Sequence, residues 1–301
     1  MWFLIIILII VILYLLLNRR VESFEVDKIK TDQKALICYY GGAFREGNYG
    51  STKSDTKYGY ESQKNASITH EKLKTVLQEK GYQTDILINT RITKYSNKLE
   101  KWYDPYDMIL NELSNKIQGP DQMIKSTINN INKLNKKDYK FILFVRIDLF
   151  LKPDFFDVLD TETDKVSFLA QNYDPSTCKS TVMNNDPQVV DLFLFIPKKY
   201  FYILDKKFVL NHHSWNYYKR VYNLKDKEMS FMSNDKFDSN SYKEYNKYYL
   251  MCSRKESKHT YYSSNTTNKN CPKYDQHKQL SYISEPCNYY IDKNKKFYTN
   301  I

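Results

Sequence analysis

Glycine is scarce in this chain, seven among 301 residues. Neither GxGxxG nor GxxxxGK followed by Ser or Thr occurs, so P-loop and dinucleotide-binding fingerprints are excluded. The five cysteines (Cys38, Cys178, Cys252, Cys271, Cys287) are odd in number and never spaced CxxC. That pattern excludes a structural zinc module and leaves disulfides open, with Cys252, Cys271 and Cys287 close enough in sequence to pair if the tail is luminal. There is no GxSxG elbow and no nucleophile-type cysteine motif, which removes the support for acyl-transfer hydrolases. RNA-recognition and RGG signatures are missing too. The net charge of +11, scattered through pairs such as Lys136-Lys137, Lys198-Lys199 and Lys295-Lys296, therefore gives little ground for a nucleic-acid partner. The same basic surface suits anionic membranes and phosphorylated small substrates.

What is present begins with residues 2–17, WFLIIILIIVILYLLL, an unbroken apolar run ended by Asn18-Arg19-Arg20. With Met1 and snorkelling arginines the run approaches the spanning length of about twenty residues. No basic segment precedes it and no small-residue cleavage site follows. The expectation is an uncleaved transmembrane anchor over 1–18, a stem over 19–33, and localisation at the membrane as a single-pass protein. Arg19, Arg20, Lys28, Lys30 and Lys34 all follow the run, which favours a cytosolic body. The sequons at Asn65 and Asn265 point the other way, but Asn, Ser and Thr are frequent enough to produce them by composition, and orientation stays open.

From residue 34 the pattern alternates. KALICYY (34–40) reads as a buried strand followed by Gly41-Gly42 and a polar loop containing Arg45. Apolar positions at Ile68, Leu73, Val76 and Leu77 predict a helix over 65–80, stopped by Gly81. TDILINT (84–90) is a second strand, Pro105 is placed near a helix start, and 121–134 is a further helix. Strands follow over 140–151, 166–172 and 191–197, with helices from 198 to about 206 and over 214–222. The fold class expected is α/β, a mostly parallel sheet flanked by helices in one domain over 34–225. Beyond 225 the apolar patterning fades, and 226–301 reads as a polar C-terminal extension.

FILFVRIDLFLKPDF (141–155) is the informative stretch. A charge in a buried strand costs several kcal/mol, on the order known for desolvated ions, unless it is paired or used. Residues 146 and 148 of a strand share a face, so Arg146 and Asp148 lie side by side at the end of the apolar run. Ligands of open α/β sheets bind beyond the carboxyl ends of strands. A carboxylate that holds a hard cation and a guanidinium that meets phosphate fit such a place, and so does a purely structural ion pair. Lys152-Pro153 sets the turn that leaves the strand. Asp154 and Asp157 read as helix-start residues rather than a glycosidase pair. His212-His213 lacks the spacing of a zinc set. Trp102, Tyr103, Trp215, Tyr217 and Tyr218 fit a core role or a sugar-stacking one.

KALICYYGGAFRE, then a helix, TDILINT, a late strand ending in RIDLFLKPDF, and VVDLFLFIPKKYF together resemble small GT-A-like glycosyltransferases encoded by large DNA viruses and bacterial polysaccharide clusters. The resemblance covers roughly 34–222 and implies a GT-A-like (Rossmann-like) sheet and a nucleotide-sugar donor. The acceptor would be a glycan, a lipid or a protein. It implies Arg45 at the nucleotide phosphates and Asp148 as the last carboxylate of a DxD-type motif, binding a divalent cation (Mn or Mg). Arg146 stands where the first carboxylate would be, which makes that metal site weak or absent. Asp191, before the strand LFLFIP, takes the place of the acidic residue near the acceptor, a candidate general base. Two other classes stay open. One is a catalytically inactive, membrane-tethered binding or virion-structural relative, favoured by Arg146. The other is an electrostatic adaptor for membrane surface or nucleic acid, favoured by the charge of +11.

Overall fold

The structure, a computed structural model, describes residues 33–46, 53–111, 120–169, 173–174, 179–180, 182–183, 186–187, 189, 192–205, 214–232, 248–251 and 291–299. The expected anchor and stem therefore lie outside the described residues, as do Cys178, Cys252, Cys271 and Cys287, Asp191, His212 and His213. Among the described residues no helix is long and apolar enough to cross a membrane.

Seven strands form one sheet: β1 (Gln33–Tyr40), β2 (Tyr82–Arg91), β3 (Asp107–Asn111), β4 (Tyr139–Arg146), β5 (Val166–Phe168), β6 (Phe193–Pro197) and β7 (Met229–Phe231). Their spatial order is β7-β5-β6-β4-β1-β2-β3. β4, β1, β2 and β3 run parallel, β6 runs antiparallel to both β4 and β5, and β7 is parallel to β5. The α/β expectation holds as a mixed sheet. Its seventh strand comes from beyond residue 225.

Both faces of the central strands are covered, which explains their unbroken apolar runs. Ala35, Ile37 and Tyr39 of β1 with Leu143 and Val145 of β4 belong to one core. Leu36, Cys38 and Tyr40 with Ile142 and Phe144 belong to the other. Helix α1 (Lys57–Glu79) closes the first core with Leu73 and Leu77, and α3 (Pro120–Lys133) closes the second with Ile124, Ile128 and Ile131.

α1 begins eight residues before the start expected at 65, at a cap where Thr56 Oγ1 accepts the Gly59 N–H at 2.9 Å. Its first turns bury small or polar residues (Gly59, Ser62, Gln63, Ala66, Ser67), so hydrophobic periodicity alone could not find them. It ends at Gly81, whose φ of 86° is the left-handed value glycine tolerates. Pro105 corrects the expected helix start: α2 (Ser96–Tyr103) precedes it, closing on Asp104 at φ 43°, and Pro105 leads into the edge strand β3. The segment over 198–205 is a 3-10 helix rather than an α-helix. α5 (Trp215–Tyr222) lies where a helix was expected.

The strand expected over 140–151 breaks at Arg146. Ile147 and Asp148 form a turn, and Leu149–Leu151 continues as a separate strand paired with Tyr249–Met251. Pro153 then opens the short helix α4 (Pro153–Val158), with Lys152 at its N-cap. The chain end also joins the core. In α6 (Lys295–Thr299), Tyr298 is buried and donates its hydroxyl to the Leu151 carbonyl at 2.8 Å.

Candidate functional site

Chain order moves outward from β1 through β2 to β3, then returns to the other side of β1 for β4. This reversal makes a switch point beyond the carboxyl ends of β1 and β4, the position at which open α/β sheets bind ligands. Tyr40 and Arg146 are register partners there, and the Ile147 N–H donates to the Tyr40 carbonyl at 2.9 Å.

The loop after β1 delivers Arg45. Gly41 takes φ 112°, open only to glycine at low cost. The Ala43 N–H donates to Thr90 Oγ1 at 2.9 Å. Phe44 sits at φ 54°, held by its ring among Tyr60, Tyr95 and Trp102, with centroids at 6.2, 5.4 and 5.9 Å. α1 approaches this loop so closely that a Cβ on Gly59 would lie 2.3 Å from the Phe44 carbonyl oxygen. An uncommon backbone conformation fixed from three sides sets the direction of the next residue, Arg45.

Arg45 reaches Asp148 with Nε and Nη2 each 2.8 Å from Oδ2. Arg146 takes the same carboxylate in a fork, Nε to Oδ1 at 3.0 Å and Nη2 to Oδ2 at 2.9 Å. Side-chain exposure is 3% for Asp148, 25% for Arg45 and 13% for Arg146. Four charge-assisted contacts occupy the aspartate, which accounts for a buried carboxylate at the end of an apolar strand. Asp148 thus binds two guanidiniums, one from the loop after β1 and one from the end of β4. The expected juxtaposition of Arg146 with Asp148 is present, and Arg45 is brought to the same carboxylate.

A buried polar chain supports the turn from below. Gln63 Nε2 donates to the Ile147 carbonyl at 2.8 Å and contacts the Tyr103 hydroxyl at 3.1 Å. The Tyr103 hydroxyl lies 2.8 Å from His70 Nδ1. His70 stacks on Tyr39 at 4.4 Å between centroids. Burial pushes the His70 imidazole down to about 3, against the weaker opposing pull of the Leu149 backbone and the Asp148 carboxylate, so the ring is neutral. Burial also raises the Tyr39 and Tyr103 hydroxyls well above their ordinary values. Sequence reasoning did not single out Gln63, His70 or Tyr39. Their signal was available: Gln63 and His70 fall seven residues apart on the face of α1 that carries Ala66, Leu73 and Leu77.

At the end of β2 a second buried polar group joins the sheet to α3 and β3. The buried Asn89 contacts the Met123 carbonyl, Ser126 and Thr127 through Nδ2, and its Oδ1 accepts from Asn111 Nδ2 at 2.6 Å. The aromatic candidates are mostly structural. Tyr103 and Tyr218 are core residues, Trp102 belongs to the ring group around Phe44, and the Trp215 indole donates to Asp226 at 2.9 Å.

A divalent cation fits this donor set poorly. Both oxygens of Asp148 are engaged by guanidiniums, and among the described residues no three His, Cys, Asp or Glu side chains gather in one place. Hard cations take six or more oxygen donors, several of them anionic.

No family model matches the chain, and no curated protein matches it. Among solved structures it is similar to a Drosophila β1,4-galactosyltransferase 7 variant in complex with manganese, UDP-Gal and xylobiose. Identity is 9% over 82% of this chain and 79% of that one, with a TM-score of 0.35. It is also similar to TarS from S. aureus, at 13% identity over 72% of this chain and 60% of that one, TM-score 0.36. A third is the inositol-1-phosphate CTP transferase from T. maritima, at 13% over 67% and 86%, TM-score 0.35.

Proposed function

We propose that this protein is a membrane-anchored glycosyltransferase of the GT-A-like type, taking a nucleotide-sugar donor beyond the carboxyl ends of β1 and β4. One observation carries the reading. At the switch point of the sheet, a buried Asp148 holds two guanidiniums from different parts of the chain in one cationic group suited to a diphosphate. In this reading the acceptor, a glycan, lipid or protein hydroxyl, forms the new bond to the anomeric carbon. The bond from that carbon to the diphosphate oxygen breaks, and its electron pair leaves with the diphosphate. The acceptor's proton passes to a carboxylate, for which Asp191 is the proposed base. It directly precedes Leu192, whose carbonyl accepts the Arg146 N–H at 3.0 Å. Arg45 and Arg146 act by positioning the donor and stabilising the charge that develops on the leaving group. Residues 1–18 supply the anchor in this proposal.

The test is thermal stabilisation of the detergent-solubilised full chain by UDP-, GDP-, CDP- and ADP-sugars, followed by assay of nucleoside diphosphate release. Saturation at a hundred times Kd stabilises the folded state by about 2.7 kcal/mol. One donor should raise Tm, and Arg45→Gln should reduce the rise. A chain that melts cooperatively and ignores every donor refutes the reading. Stabilisation without turnover favours the second reading, a catalytically inactive binding protein, to which the Arg at position 146 also points.

A further inference from the structure

We infer that the donor's diphosphate is held here by the two arginines themselves, without a divalent cation bridging it to the protein. The inference rests on the donor-site reading above and concerns how that site handles charge.

The central observation is the state of Asp148. Its Oδ1 receives Arg146 Nε, and its Oδ2 receives Arg146 Nη2 together with Arg45 Nε and Nη2. A carboxylate offers about two lone-pair directions on each oxygen, and these four donors engage both oxygens and crowd Oδ2. A dication approaching Asp148 would have to share the carboxylate with these donors and sit within contact range of two full positive charges. Like charges so close, in a place largely removed from water, oppose binding strongly. The donor set around it gives no compensation, since no three His, Cys, Asp or Glu side chains cluster among the described residues.

The same arrangement suits an anion. A guanidinium offers a planar fork of N–H groups that matches phosphate oxygens, and its charge persists at any working pH. Two of them are held side by side by one shared carboxylate. The orientation is built in before any ligand arrives. Arg146 is fixed by its fork to Asp148 at the end of β4, and Arg45 by the Phe44 conformation and the close approach of Gly59. Asp148 thus serves as a positioning residue for two arginines, where a metal-dependent site would use it as a ligand.

The experiment is calorimetric titration of the detergent-solubilised full chain with UDP, GDP, CDP, ADP and inorganic pyrophosphate, each in excess EDTA and again with added Mn²⁺. The expected result is one nucleotide whose affinity differs by less than about threefold between the two conditions. Its affinity should fall by about tenfold or more in Arg45→Gln, as for loss of a charge-assisted hydrogen bond. Arg45 is the more exposed arginine, and circular dichroism of that variant checks that it folds. Should the nucleotide bind only with Mn²⁺, with Arg45→Gln unaffected, the metal-free inference falls while the donor-site reading stands. If no nucleotide and no pyrophosphate binds in either condition, the donor-site reading fails and this inference fails with it.

Discussion

Arg45 and Asp148 lie 103 residues apart in the chain and meet with 2.8 Å between Nη2 and Oδ2, beyond the carboxyl ends of β1 and β4, where the strand order reverses. The contact ties the loop after β1 to the turn after β4. It makes the two segments one electrostatic unit.

Replacing Asp148 by Asn leaves two guanidiniums side by side with no countercharge. Removing one partner of a buried pair costs about 3 to 5 kcal/mol, and partial exposure of the arginines puts the expected loss toward the lower end. Arg45→Gln alone should cost less, because Arg146 keeps its fork on the carboxylate. In the Asp148→Asn background, Arg45→Gln should be neutral or stabilising. Urea unfolding of the four proteins measures the coupling, and a value near zero would show that Arg45 and Asp148 act independently.

Gln63 is the only described side chain seen to hold the Ile147 carbonyl, at 2.8 Å, within the turn that presents Asp148. Gln63→Leu leaves that buried acceptor unsatisfied and should destabilise the fold by about 1 to 3 kcal/mol. Gln63→Glu keeps the shape but removes the donor, so it should not rescue. Rescue by Glu in chemical denaturation would assign the effect to packing.

His70 predicts an acid sensitivity. Its folded value is lowered to about 3 by burial, below the ordinary 6.5. Between those values the unfolded chain binds the proton and the folded chain does not. Its contribution is therefore fully present above pH 6.5 and is lost as pH falls toward 3, at up to about 1.4 kcal/mol per pH unit. The groups facing the ring are Tyr39, Tyr103 and the Asp148 carboxylate, and the two tyrosine hydroxyls stay neutral through this range. In unfolding curves taken from pH 7 to pH 4, His70→Phe should flatten the dependence. An unchanged slope in that variant would assign the sensitivity to other groups.

Gly59→Ala tests the aiming of Arg45. The added Cβ meets the Phe44 carbonyl oxygen at 2.3 Å and carbon at 2.7 Å, both backbone atoms that cannot swing aside. Alanine gains about 1 kcal/mol of helix propensity, and overpacking costs about 1 to 3 kcal/mol, so the net expectation is mild destabilisation. Displacement of the Phe44–Arg45 backbone should also weaken nucleotide affinity, read by titration. Wild-type affinity in this variant would show that Arg45 reaches its position without the close helix contact.

Several features of the architecture were legible in sequence because they depend only on local period. The buried runs of β1 and β4, the apolar spacing of α3, the glycine stop at Gly81 and the Lys152-Pro153 turn each follow from what neighbouring residues allow. The first turns of α1 were hidden because their buried residues are small or polar, with Gly59 close against the Phe44 backbone and Gln63 bonded to the Ile147 carbonyl. Residues after 225 looked like a polar extension, yet Met229–Phe231 completes the sheet and Tyr298 is buried against Leu151. Short contributions to a core carry too few residues for a period to register.

By itself the sequence determined that an α/β layer forms and that Arg146 and Asp148 come together at the end of the apolar run, since a separation of two residues sets their proximity locally. Only the tertiary structure decided that β6 runs against its neighbours, that the sheet reverses between β1 and β4, and that Arg45 becomes the second partner of Asp148. Those outcomes depend on which strands lie side by side. Strand order is fixed by the packing of whole elements into two cores, which no local spacing of residues encodes.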